Sequence, residues 1–155
     1  MPEGVWKAYI DFEIENVDGS GNYARVRALY ERLLEITQHV KVWISYAQFE
    51  HEQAKDSKKS RAIFTRAYAH FKDIEPDLKE ERVMILENWL EMEISVSANS
   101  TETQSVRAKL PKRVKKRRET SDGWEEYYDY IFPDDQAETK NIKILQMAHQ
   151  WKEKA

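Results

Sequence analysis

One stretch of the sequence decides the fold: Val42-Trp43-Ile44-Ser45-Tyr46-Ala47-Gln48-Phe49-Glu50. It aligns with Val5-Trp6-Lys7-Ala8-Tyr9-Ile10-Asp11-Phe12-Glu13 and, more weakly, with Ile85-Leu86-Glu87-Asn88-Trp89-Leu90-Glu91-Met92-Glu93. The copies lie 37 residues apart from Trp6 to Trp43, and 43 residues apart from Trp43 to Leu86. Recurrence at such a period is typical of repeat proteins, in which each repeat is one supersecondary unit.

Each copy has the apolar pattern of an α-helix. Val42, Trp43, Tyr46 and Phe49 stand at positions i, i+1, i+4 and i+7, which fall on one face of a helix and do not alternate as in a strand. We call these predicted elements the A helices.

A second motif follows each of the first two copies. Arg27-Ala28-Leu29-Tyr30-Glu31-Arg32-Leu33-Leu34 aligns with Arg61-Ala62-Ile63-Phe64-Thr65-Arg66-Ala67-Tyr68, and we call these predicted elements the B helices. The third copy is followed by Arg107-Ala108, but Pro111 comes soon after, so the third B helix should be short or broken. The sequence therefore predicts an all-α chain without β-sheet, in which residues 1–111 form antiparallel helical hairpins that stack as an α-solenoid.

The aromatic and charged residues that recur in these motifs are predicted to pack the repeats together. Glu13, Glu50 and Glu93 occupy one repeat position, which favours hydrogen bonding to Arg27, Arg61 or a neighbouring helix end over a catalytic pair. The predicted repeat-packing residues are Trp6, Tyr9, Glu13, Arg27, Tyr30, Trp43, Tyr46, Glu50, Arg61, Phe64, Trp89 and Glu93.

Composition after Pro111 changes sharply. Residues 112–122 are predicted to be a basic linker, and residues 123–155 an aromatic and acidic segment. Pro133 should end any helix built on Trp124 to Phe132, and Asn141 to Trp151 has the pattern of a last amphipathic helix. We expect residues 123–155 to pack on the array as a C-terminal helical cap. The alternative is a partner contact formed by the apolar side chains of Trp124, Tyr127, Tyr128, Ile131 and Phe132.

Three interpretations of the basic run remain open. The run consists of Lys112, Arg113, Lys115, Lys116, Arg117 and Arg118. It could be a solvated linker compensated by the acidic residues that follow, a nuclear import signal, or a site of weak, sequence-independent RNA contact. The net charge of the 155-residue chain is −3, so any nucleic-acid contact must come from such a local patch.

Other function classes find little support in the sequence. The chain has no cysteine, which excludes disulfides and thiolate metal sites, and no apolar run long enough for a bilayer span. Gly19-Ser20-Gly21-Asn22-Tyr23-Ala24 fits a dinucleotide-binding pattern loosely, but a predicted helix precedes it where that motif needs a strand. His51-Glu52-Gln53-Ala54-Lys55 lacks the second histidine of a zinc-protease helix. We expect no enzyme activity, metal, cofactor, small-molecule substrate or membrane partner.

The two motifs together resemble the half-a-tetratricopeptide (HAT) repeat. The sequence is also similar to the end of crooked-neck-type splicing factors. Three stretches carry this likeness: Val42 to Glu50, Val114-Lys115-Lys116-Arg117-Arg118, and Gly123-Trp124-Glu125-Glu126-Tyr127-Tyr128-Asp129-Tyr130-Ile131-Phe132-Pro133. That resemblance implies a nuclear, non-catalytic scaffold in pre-mRNA splicing. Its partners would be other spliceosomal proteins of the NineTeen-associated complex. The likeness carries no catalytic residue.

Overall fold

The computed structural model describes residues 2–17 and 22–154, with the side chains of the last helix described for residues 133–136 and 144–152. The elements in chain order are α1 (Glu3–Glu15), α2 (Ala24–Ile36), α3 (Val40–Glu52), α4 (Ser57–Ala69), α5 (Lys79–Val96), α6 (Thr101–Lys109), β1 (Lys112–Thr120), β2 (Gly123–Ile131) and α7 (Pro133–Lys154). A π-helical turn at His70–Ile74 continues α4.

The chain divides into two compact units, residues 1–96 and residues 97–155. In the first unit, α1, α3 and α5 are the predicted A helices, and α2 and α4 are the predicted B helices. The helical-repeat prediction is confirmed. The buried apolar side chains of this unit include Val26, Val42, Phe64 and Ile85, so its core follows the predicted helix faces.

Side-chain caps fix the starts of several helices. An Asp56 carboxylate oxygen accepts the Lys59 N–H at 3.0 Å at the start of α4, and the Ser100 hydroxyl accepts the Thr103 N–H at 3.1 Å at the start of α6. Such caps satisfy backbone donors that have no partner within the helix. The third B helix, α6, is nine residues long and stops before Leu110, which is extended as a residue before proline should be.

The expected absence of β-structure is wrong in the second unit. Strands β1 and β2 form an antiparallel hairpin in which Lys112 lies opposite Ile131 and Thr120 lies opposite Gly123. Gly123 has a φ of 113°, a backbone conformation that glycine adopts without steric cost, next to the connecting turn. The segment predicted as a linker is therefore a strand and a turn, and the segment from Trp124 to Ile131 is a strand and not a helix.

The last helix also begins earlier than predicted. Pro133 was expected to stop a helix, but it is the first residue of α7, which runs to Lys154. Proline suits a first helical position because its fixed φ fits the helix and its missing N–H would have had no partner there. Among the described residues, no helix combines the length and the apolar composition needed to cross a bilayer.

Candidate protein-interaction site

Aromatic stacking joins the first B helix to the second A helix. The rings of Tyr30 on α2 and Tyr46 on α3 lie parallel, with centroids 4.7 Å apart and planes 6° apart. The Tyr30 hydroxyl is 2.7 Å from the Ser45 hydroxyl. Burial raises the pKa of Tyr30 to about 12. The stacked pair fixes the lateral position of α2 on α3.

An ion pair accompanies the stacked rings. Arg27 Nε donates to Glu50 Oε1 at 2.6 Å, and the Glu50 side chain is only 1% exposed. A buried carboxylate needs such a partner, because an uncompensated charge in the interior is strongly unfavourable. Glu50 thus makes the surface of α3 on which α2 docks specific for a helix that carries a cation.

A second ion pair links α2 to α4. Arg66 Nη1 donates to Glu31 Oε1 at 2.6 Å, and the Tyr46 hydroxyl donates to the same oxygen at 3.0 Å. The Arg66 guanidinium also lies 5.3 Å from the centre of the Trp43 ring. Hydrogen bonding from Arg66 holds the pKa of the Glu31 carboxyl below its ordinary value. The Glu31–Arg66 pair therefore gives α2 a second charged contact, in addition to the Arg27–Glu50 pair.

The next interface repeats this geometry. Arg61 on α4 donates to Glu93 on α5 at 2.9 Å, and the rings of Phe64 and Trp89 are parallel, with centroids 6.1 Å apart. Glu93 and Trp89 occupy the repeat positions of Glu50 and Tyr46. Helices α2 and α4 therefore each dock on the following A helix through one arginine–glutamate pair and one stacked aromatic pair.

The first A helix presents the same positions without such a neighbour. Trp6 on its inner face is buried, but Tyr9 is 54% exposed and Glu13 is half-buried. Tyr9 was predicted to pack between repeats, and that prediction is wrong for the described chain, because no B helix covers this face among the described residues. Val5 and Phe12 are exposed for the same reason.

Most of the predicted basic segment is compensated by charge across the hairpin. The four ion pairs are Lys115–Glu126 at 2.7 Å, Lys116–Asp129 at 2.7 Å, Arg117–Glu126 at 3.5 Å and Arg118–Glu125 at 3.0 Å. The Arg113 guanidinium lies 4.2 Å from the centre of the Tyr128 ring, while Lys112 is exposed at the start of the strand. The basic run therefore does not present six uncompensated cations.

Aromatic side chains of the hairpin differ in exposure. Trp124 and Tyr128 are 71% and 56% exposed, Tyr127 and Ile131 are half-buried, and Phe132 is buried. Antiparallel pairing places Lys115 opposite Tyr128, so aromatic and basic side chains that are separate in sequence share one face of the hairpin. Packing of this segment on the helical array stays a prediction.

Sequence reasoning missed three charged residues that matter for packing. Glu31 and Arg66 form the ion pair between α2 and α4. The motif alignment gives no sign of this pair, because Thr65 stands in the second B helix where the first has Glu31. Arg82 on α5 is 1% exposed and donates to the Tyr68 hydroxyl at 3.1 Å. The motifs that recur in the sequence do not include Arg82, so they gave no indication that it is buried.

The described residues contain no cluster of three or more histidine, aspartate or glutamate side chains that could hold a metal ion. Helix α3 ends at Glu52, within the His51 to Lys55 stretch that superficially matched a zinc-protease helix. Half of the dinucleotide-like pattern, from Gly19 to Gly21, lies outside the described residues. The site that the geometry does define is a series of helix-docking faces.

Comparison with known proteins agrees with this geometry. The family model described as the PRP39 C-terminal HAT repeat matches residues 4–122. The chain is 48% identical to human Crooked neck-like protein 1 over 98% of its own length and 18% of that protein. It is 45% identical to pre-mRNA-splicing factor clf1 of Aspergillus fumigatus, over 99% of this chain and 25% of the relative, and 40% identical to pre-mRNA-splicing factor cwf4 of Schizosaccharomyces pombe, over 98% and 24%. The chain thus spans a quarter or less of the length of these relatives. It belongs to the HAT-repeat family and is a HAT repeat protein of the crooked-neck type.

Proposed function

We propose that this chain is a non-catalytic scaffold in pre-mRNA splicing, acting in the nucleus by organising protein subunits of the spliceosome. The observation that carries the proposal is the 40–48% identity to splicing factors over nearly the whole chain. Similarity over 98% of the chain covers the helices, the hairpin and α7 together. The finer assignment to the NineTeen-associated complex belongs to the same proposal.

The physical character of the chain supports a binding role over a catalytic one. Its two Arg–Glu pairs with buried carboxylates, Arg27–Glu50 and Arg61–Glu93, join helices to one another. Large apolar side chains stand exposed on α1 and on α7, including Phe12 at 59% and Trp151 at 69%. Exposed apolar patches of this kind mark contact with other proteins.

RNA binding through residues 112–118 is the second candidate function. It is favoured by the shared hairpin face on which Arg113, Lys115 and Arg117 lie with Trp124 and Tyr128, since single-stranded nucleic acids bind where cations and stacking rings alternate. It is disfavoured by the four cross-strand ion pairs, which leave few cations for phosphates. We therefore expect RNA contact to be weak and independent of sequence.

A single affinity experiment separates the two candidates. Tagged chain is incubated with a splicing-competent nuclear extract, half of the sample is treated with ribonuclease, and bound proteins are identified by mass spectrometry. Enrichment of spliceosomal proteins that survives ribonuclease supports the scaffold, and enrichment that ribonuclease abolishes supports RNA binding. Heat-denatured chain is the control for non-specific capture. Equal recovery of splicing proteins on the native and on the denatured chain, together with unchanged splicing of a reporter when excess chain is added, would refute the proposal.

A further inference from the structure

The turn of the β1–β2 hairpin holds two adjacent hydroxyl side chains. Thr120 is the last residue of β1, and Ser121 follows it as an exposed residue of the turn. The Thr120 hydroxyl donates to the Gly123 carbonyl oxygen at 2.8 Å. This hydroxyl therefore helps to close the turn, and any group attached to its oxygen removes the contact.

Two arginines precede Thr120 at the spacing that many serine/threonine kinases recognise. Arg118 and Arg117 stand two and three residues before Thr120, and no other serine or threonine of the sequence has arginine at both positions. Kinases select substrates in part by such charge patterns, because carboxylates of the kinase bind guanidinium groups through paired hydrogen bonds. The side chains of Arg117 and Arg118 are 71% and 59% exposed. The hairpin thus presents one acceptor hydroxyl together with both of the cations that select it.

Closure of the hairpin competes with a kinase for the same groups. Arg117 Nη2 lies 3.5 Å from Glu126 Oε1, and Arg118 Nε lies 3.0 Å from Glu125 Oε2. A kinase must bind these arginines itself and reach the Thr120 oxygen, so the strand pairs nearest the turn have to open first. A two-stranded hairpin is only marginally stable by itself, and its local opening costs less than unfolding of the helical core. Phosphorylation should therefore be fastest when the hairpin opens most often.

We propose that Thr120 is a phosphorylation site for a basophilic serine/threonine kinase, and that the phosphate favours the open form of the hairpin turn. In the reaction, Thr120 Oγ1 forms a bond to the γ-phosphorus of magnesium-bound ATP, and the bond from that phosphorus to the ADP oxygen breaks. The threonine proton passes to an aspartate of the kinase. The phosphothreonine then has no hydroxyl to donate to the Gly123 carbonyl oxygen.

Charge repulsion adds to the loss of this hydrogen bond. A phosphate brings a charge of about −1.5 to −2 at pH 7. It would stand next to Glu119 and near Asp122 in the chain, and diagonally across the ladder from Glu125. Arg118 lies two residues away on the same side of the strand. A phosphate that takes Arg118 from Glu125 removes a cross-strand ion pair, and one that does not is left among carboxylates. Either outcome weakens the turn end of the hairpin.

The test incubates the full chain with magnesium, ATP and the catalytic subunit of cyclic-AMP-dependent protein kinase, which selects Arg-Arg-x-Ser/Thr. Mass spectrometry should find one phosphate per chain, on Thr120. Thr120→Ala should abolish labelling, whereas Ser121→Ala should leave its rate unchanged. Arg117→Lys with Arg118→Lys keeps the charge but loses the planar guanidinium groups, and should slow labelling at least about tenfold.

Two further measurements test the coupling to the hairpin. Glu125→Gln with Glu126→Gln removes the competing carboxylates and should raise the labelling rate about threefold or more, the scale expected from exposed ion pairs. Glu87→Gln with Glu91→Gln, at exposed positions of α5, is the matched control and should leave the rate unchanged. Once Thr120 is phosphorylated, the backbone amides of β1 and β2 near the turn should exchange with solvent at least about tenfold faster.

Contrary outcomes separate the site from its effect on the hairpin. Absence of phosphate, or phosphate on Ser121 alone, would overturn the assignment of the site. Equal labelling rates of the two double glutamine variants would overturn the competition between hairpin closure and the kinase. Unchanged amide exchange in chain that is fully phosphorylated on Thr120 would overturn the opening of the turn.

Discussion

Arg27 Nε lies 2.6 Å from Glu50 Oε1, and Arg61 Nε lies 2.9 Å from Glu93 Oε1 at the equivalent place one repeat later. Both glutamates are 1% exposed, and both arginines are about 30% exposed. In each pair the carboxylate is thus buried, and the arginine side chain extends to it from the protein surface. Such an arrangement selects a cationic partner helix at each step of the array.

Loss of the arginine should destabilise the fold. Arg27→Met leaves the buried Glu50 carboxylate without its cation and should lower the free energy of unfolding by about 3 kcal/mol, the lower end of the range for breaking a buried pair, since Arg27 is partly exposed. Arg25→Met, on the exposed face of the same helix, is the matched control and should change it by less than about 0.5 kcal/mol. Urea unfolding measures both. Equal effects of the two substitutions would contradict the assigned role of the pair.

The central tryptophan should contribute more to stability than an exposed one. Trp43 is 5% exposed on α3, so Trp43→Ala should cost about 3–5 kcal/mol, as truncation of a buried aromatic residue does. Trp151 is 69% exposed on α7, and Trp151→Ala should cost less than about 1 kcal/mol. Chemical denaturation of both variants makes the comparison. A loss below about 1 kcal/mol for Trp43→Ala would mean that its ring does not support the core.

Acid should weaken the contact between α2 and α4. Hydrogen bonding from Arg66 lowers the pKa of Glu31 from its ordinary value of 4.5, so the ionised carboxylate stabilises the folded chain. This contribution is complete above pH 4.5 and is lost as the pH falls from there through the lowered pKa. The Glu31→Gln variant should therefore be less stable than the natural chain at pH 7, and the two should converge under acid. In an Arg66→Gln background the pH dependence of this difference should shrink, because only the Tyr46 hydrogen bond then remains to lower the pKa of Glu31. Both groups are more than 40% exposed, so added salt should reduce the effect.

Ion pairing in the hairpin should suppress RNA binding. With at most six phosphate contacts, the natural chain should show a salt slope no steeper than about −4 on single strands. Replacing Glu125, Glu126 and Asp129 by their amides releases four cations and should raise RNA affinity about tenfold or more at 0.1 M salt. Neutralising the exposed residues Glu80, Glu87 and Glu91 on α5 changes the net charge equally and is the control. Equal affinity of the two triple variants would show that the hairpin pairs do not limit binding, and sequence-selective binding without residues 112–118 would move the site elsewhere.

Removal of residues 119–155 should lower the melting temperature of the remaining chain if this segment caps the array. Solenoids need such a cap because a terminal repeat otherwise exposes its apolar face. Thermal melts of the intact and shortened chains, together with limited proteolysis, measure the effect. An unchanged melting temperature, with free cleavage of α7 in the intact chain, would refute the cap and favour the aromatic segment as a partner-binding element.

The hairpin shows where local sequence patterns mislead. Trp124, Tyr127, Tyr128 and Ile131 stand at i, i+3, i+4 and i+7, which is the spacing of a helix face. The segment is nevertheless a strand, because its acidic residues pair with the cations of β1 across a turn that Gly123 closes. The hairpin is stabilised by contacts between two segments, so the apolar periodicity of either segment alone could not predict the strand.

The sequence by itself determined the helical repeats, their A and B faces and their family, because apolar periodicity and motif spacing are local and repeat along the chain. Only the tertiary structure decided which copies of the motif are buried. Tyr46 and Tyr9 occupy the same repeat position, yet one is 5% exposed and the other 54%. The physical reason is that burial depends on a neighbouring helix, and α2 covers α3 whereas no described helix covers the outer face of α1. The motif specifies a surface, and the packing around it decides whether that surface is core or binding face.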